Sequence, residues 1–151
     1  MGKRSVLFLC THNAARSQMA EGLLRHCAGA HFDVYSAGSE PTRVHPLAIA
    51  AMQEIGIDIS RQESKSVKEF LGRVRVDYAI FVCQQAERNC PTVYPFALNK
   101  LSWTMDDPAA VSGSKAEQTQ AFTDARDILK ERIATWLMEQ WSISIEEGHN
   151  E

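Results

Sequence analysis

The run Cys10-Thr11-His12-Asn13-Ala14-Ala15-Arg16-Ser17 places five residues between a cysteine and an Arg-Ser pair. Between a strand and a helix, such a loop would gather the free backbone N–H groups of the helix start, which attract anions. Ala14 and Ala15 are small enough for the backbone to curl closely around a ligand. Arg16 adds a planar fork suited to two oxygens of a phosphate-like ion. A cysteine in that positive surrounding is favoured as a thiolate. Aimed at a tetrahedral oxyanion, it is a nucleophile toward phosphorus or arsenic. Ser17 can donate a hydrogen bond to the sulfur. The bland alternative is a buried strand-end thiol at Cys10 and a surface charge at Arg16.

Two further groups carry chemistry. In Asp106-Asp107-Pro108, an acid stands directly before proline. Thiolate attack on an oxyanion must expel an oxygen, and a carboxylic acid can protonate it. Acids before proline are also ordinary turn formers, and Asp106 can instead cap or orient the loop. The other group is Cys83 and Cys90, with Pro91 following. In a continuous helix these cysteines would lie about 10 Å apart along the axis, whereas a disulfide needs Cα atoms within roughly 7 Å. Joining them requires the segment to loop out. Both could instead be inert, Cys83 in a strand and Cys90 at a helix end. Cys27 falls on the apolar face of a helix and reads as core packing.

The elements that must position these groups alternate. Residues 5–9 form a short apolar run, read as a buried strand. Residues 17–28 have Ala20, Leu23, Leu24 and Cys27 on one helical face. A second strand is expected over 32–36, ended by Ala37-Gly38. Pro46 opens a helix running to about Glu54 and stopped by Gly56. A short helix over 64–71 closes at Gly72. A third strand covers 77–82, a helical turn 84–89, and a fourth strand 99–105. The longest helix spans 115–141. Strands alternating with helices predict one doubly wound α/β domain over residues 1–141, with a four-stranded parallel sheet flanked by helices. Residues 142–151 form a polar, frayed tail. In such a sheet ligands bind beyond the strands' carboxyl ends, where Cys10, Cys83 and Asp107 all fall.

The 151 residues suit one domain, and 44% hydrophobic with 23% charged content is ordinary for a globular protein. A net charge of −3 gives no basic footprint for nucleic acid. No run approaches the roughly 20 apolar residues of a membrane span, and residues 6–9 are too few for a signal-peptide core. The chain reads as cytoplasmic, and nothing argues against a monomer. In a reducing compartment the four cysteines are reactive or buried thiols rather than structural staples. They contain no Cys-x2-Cys pair of the zinc-binding kind.

The first loop resembles the catalytic loop of low-molecular-weight protein tyrosine phosphatases and of the arsenate reductases built on their fold, over roughly residues 5–140. The resemblance implies a sheet with Cys10 at the carboxyl end of its first strand, Thr11–Ala15 and Arg16 as the oxyanion loop, and Asp107 as the acid. His12 departs from the Gly of some members and receives no catalytic role. Cys83 and Cys90 resemble the thioredoxin-coupled reductases. This implies a relay in which Cys10 attacks arsenate, Cys83 attacks Cys10, Cys90 attacks Cys83, and thioredoxin resolves the final disulfide. Phosphate or sulfate would occupy the same loop. No cofactor or metal site is assigned. Some such relatives hold a potassium ion at positions matching Asn13, Glu21 and Ser36, with a carboxylate where this chain has Lys65. An ammonium there would repel a cation, unless Lys65 points to solvent.

A phosphatase would use Cys10, Arg16 and Asp107 identically, forming a phosphocysteine that water cleaves. It has no need of Cys83 and Cys90. Phosphatases of this kind commonly carry aromatic residues after the proline, where this chain has Ala109-Ala110-Val111. A third possibility is a non-enzymatic oxyanion sensor with a thiol switch.

Overall fold

The computed structural model describes residues 2–84 and 90–145. Four parallel strands, β1 (Arg4–Cys10), β2 (Phe32–Gly38), β3 (Val76–Phe81) and β4 (Ala97–Ser102), form one sheet in the order β2-β1-β3-β4. The α-helices are α1 (Arg16–Ala28), α2 (Pro46–Gln53) and α3 (Lys115–Trp141). From β1 the chain turns to one side to make β2, then crosses to the other side to make β3. The order therefore reverses beside β1, and the crevice lies at the carboxyl ends of β1 and β3.

Period-two alternation along β1 feeds two cores. Val6, Phe8 and Cys10 join the larger one, with Met19, Leu23 and Leu24 of α1 and Phe122, Leu129 and Ile133 of α3. Leu7 and Leu9 face the smaller one, with Phe70, Val76, Phe81 and Tyr94. Cys27 packs half-buried against the larger core, and burial pushes its thiol pKa up against the opposing pull of Lys130. α3 spans the residues its periodicity predicts and starts from a reciprocal cap between Ser114 and Glu117.

Three elements differ from expectation. The helix expected over 64–71 shrinks to a 3-10 turn, Val67–Glu69. The backbone just before it is committed elsewhere, since Lys65 O accepts from Gly38 N and Lys65 N donates to Asn13 Oδ1. β4 runs 97–102 rather than 99–105, because the chain peels away to bring Met105 O to Arg16. After α3, Ile143 and Ile145 pack against the larger core, within the stretch expected to fray, and the rest of that stretch lies outside the described residues. The helical turn expected over 84–89 lies outside the described residues except for Gln84.

Candidate active site

The Cys10–Ser17 loop wraps a small pocket lined by Cys10, His12, Ala14, Ala15, Arg16, Asp107 and Ala109. Its cavity volume is about 30 Å³, a space on the scale of an inorganic ion. Neighbouring segments hold the loop's carbonyls. Thr11 O accepts from Glu40 N, His12 O from Thr42 N, and Ala14 O from His45 N. Asn13 O accepts from Gln18 Nε2 and Ser64 Oγ. In a trans peptide, the N–H after each carbonyl points the opposite way, so these contacts turn the carbonyls outward to neighbouring groups and free the following N–H groups from them. Asn13 allows the tight turn by adopting a left-handed φ of 50°, which asparagine tolerates better than most residues. Ala15 begins α1 without a side-chain cap, so the helix start keeps its affinity for an anion.

Cys10 and Arg16 are buried, 2% and 3% exposed, which removes the reading of Arg16 as a surface charge. Arg16 Nη1 donates to Met105 O at 3.0 Å, and Nη2 stands 3.7 Å from Asp107 Oδ2. Asp107 forms the turn and also faces the pocket arginine. Its Oδ1 accepts from Ala109 N and caps the turn Pro108–Ala110, while Oδ2 faces the arginine. Asp106 orients the loop by accepting from Gln84 Nε2 at 2.9 Å, tying it to the residue after Cys83.

The hydrogen bonds at the sulfur have a defined direction. Lys65 N–H can only donate, so Asn13 Oδ1 is its acceptor at 2.8 Å. The Asn13 amide group must then donate from Nδ2, to Ser17 Oγ at 2.7 Å and Ser36 Oγ at 2.9 Å. A Cys10 thiolate can only accept, so the Ser17 hydroxyl proton then points at its Sγ, 2.8 Å away. His12 Nδ1 lies 3.1 Å from the Glu40 carbonyl, exposed at the pocket mouth.

Cys83 and Cys90 are joined in a disulfide with Cα atoms 6.1 Å apart, while Cys10 is free. Leu9 lies opposite Phe81, and Val82 N donates to Leu9 O. Cys10 and Cys83 therefore leave adjacent strands at the same end, and Cys83 is fully buried.

Several residues of the site escaped the sequence reading. Gln18, fully buried, braces Asn13 and receives Gln62 in turn. Gly38 lies so close to the loop that a Cβ would stand 2.5 Å from Thr11 O. His45 caps α2 by accepting from Leu47 N and stacks on Phe122 at 4.6 Å. The one available signal was the polar stripe Gln18, Glu21, Arg25 at helical spacing.

A family model for low molecular weight phosphotyrosine protein phosphatases matches residues 5–146. The chain belongs to that family. Within this phosphatase family it resembles a named subset. It is 41% identical over 136 residues to an arsenate reductase of Halalkalibacterium halodurans, covering 90% of this chain and 96% of that one. It is 40% identical to arsenate reductase 1 of Staphylococcus epidermidis, covering 90% and 97%. A solved arsenate reductase in the phosphate-binding state superposes with a TM-score of 0.73 at 30% identity, covering 93% and 99%. One in the oxidised state gives 0.72 at 33% identity, covering 87% and 95%.

Proposed function

We propose that this chain reduces arsenate to arsenite with its own thiols, in a reducing cytoplasm. The observation that carries the reading is the Cys83–Cys90 pair, bonded at the carboxyl end of the strand beside Cys10. Phosphoryl transfer has no use for these two cysteines.

In the proposed sequence, the loop N–H groups and Arg16 hold arsenate. The Cys10 thiolate attacks arsenic, and an oxygen leaves as water on receiving the proton of Asp107. The Cys83 thiolate then attacks the Cys10 sulfur. The sulfur–arsenic bond breaks, its electron pair stays on arsenic, and arsenite departs. Cys90 attacks Cys83, freeing Cys10 and leaving Cys83–Cys90. Two thiols are oxidised for each arsenate reduced. An external dithiol protein, thioredoxin in this reading, returns the disulfide to thiols. The chain acts as a monomer.

A phosphatase reading draws on the family and on Cys10, Arg16 and Asp107, which suffice to form a phosphocysteine. Ala109 at the pocket rim, where such phosphatases commonly carry an aromatic side chain to grip a substrate ring, favours an inorganic ion over an aryl ester. The deciving comparison is arsenate-dependent NADPH oxidation with thioredoxin and thioredoxin reductase against hydrolysis of p-nitrophenyl phosphate. Arsenate-dependent oxidation far above ester hydrolysis supports reduction. Ester hydrolysis without arsenate-dependent oxidation would replace it with the phosphatase.

A further inference from the structure

Glu21 lies on α1 with 5% of its surface exposed, and positive groups engage both of its carboxylate oxygens. Arg25 Nη2 donates to Oε2 at 2.6 Å. Lys65 Nζ stands 3.7 Å from Oε1, which also accepts the Ser36 hydroxyl. Lys65 does not point freely to solvent. Its ammonium also donates to Glu63 O, its amide to Asn13 Oδ1, and its carbonyl accepts from Gly38 N. One residue thus grips the loop's support at its side chain and on both sides of its backbone.

These contacts continue to the nucleophile. The Ser36 hydroxyl donates to Glu21 and accepts from Asn13 Nδ2. Asn13 Nδ2 also donates to Ser17, which donates to Cys10. The residues do not fit the potassium ion held at matching positions in some relatives. The carboxylate such an ion needs at position 65 is an amine, and Glu21 already carries two cations. A third would meet like-charge repulsion at close range.

We propose that Lys65 is a tethered cation and a positioning residue. Its ammonium fixes Glu21 and Ser36, and through them the Asn13–Ser17 donor at Cys10, making the protein indifferent to potassium. The test uses the full, reduced chain without arsenate. Melting temperature and the iodoacetamide alkylation rate of Cys10, located by mass spectrometry, are compared in potassium chloride and choline chloride of equal ionic strength. Wild type should give the same values in both salts. Lys65→Met should melt lower and alkylate at least about threefold more slowly, and Lys65→Arg should recover most of the rate. Lys65→Asp should acquire a rise in melting temperature specific to potassium. Potassium-specific stabilisation of wild type, or Lys65→Met matching wild type, would overturn the proposal. If Lys65→Met fails to fold, the wild-type salt comparison and Lys65→Arg still decide it.

Discussion

The Asp107 carboxylate faces the Arg16 guanidinium at 3.7 Å while its other oxygen caps Ala109. Asn at this position keeps a capping acceptor and loses the proton. Asp107→Asn should therefore lower arsenate turnover by roughly 10²- to 10⁴-fold and leave the melting temperature nearly unchanged. Steady-state kinetics beside a thermal melt separate the two effects. Near-wild-type turnover would reduce Asp107 to a turn former.

Cys90 matters after the first arsenite has left. Reduced Cys90→Ser should release one arsenite per chain in a rapid-quench experiment and then stop, with Cys10 joined to Cys83. Sustained turnover with thioredoxin would remove Cys90 from the relay.

Gly38 is required by close approach of the backbone. A methyl there would stand 2.5 Å from Thr11 O and 2.9 Å from both Asn13 N and Cys10 O. Peptide groups cannot yield as a side-chain tip can. Gly38→Ala should destabilise the fold by about 1–3 kcal/mol, read by urea unfolding. It should also weaken the thermal stabilisation that phosphate gives wild type.

His45 predicts an acid-side loss of stability. Burial pushes its imidazole below the ordinary value; the Asp107 carboxylate opposes this and Arg43 adds to it. Protonation would also cost Nδ1 its acceptor role toward Leu47 N. The unfolded state, titrating near the usual value of about 6.5, binds more protons than the folded state just below that pH. Stability is therefore full above about pH 6.5 and falls as pH drops toward the lowered folded value. His45→Asn keeps a good capping acceptor without the titration, so its melting temperature should fall less than wild type's between pH 7 and 5.5. Parallel curves would show that His45 does not contribute.

The alternation of apolar runs made the strand and helix order legible, and α3 needed only its spacing. The nucleophile loop was legible because a cysteine, small residues and an arginine are rarely arranged so for packing alone. Its supports were not. The resemblance grouped Asn13, Glu21, Ser36 and Lys65, but Gln18 lies at the helical spacing of a solvated face and is buried, which only its tertiary contacts with Asn13 and Gln62 explain. Gly38 looked like a strand terminator, and its true constraint is a neighbour 27 residues earlier in sequence, Thr11. The 64–71 helix failed because backbone groups of Lys65 serve the loop and β2 instead of a helix.

The relay is tested most directly by counting thiols. The protein is fully reduced, freed of reductant and given arsenate, and its disulfides are mapped by mass spectrometry. Free thiols should fall from the chain's four cysteines to two, with Cys83 joined to Cys90 and one arsenite released per chain. No loss of thiols on adding arsenate would contradict it.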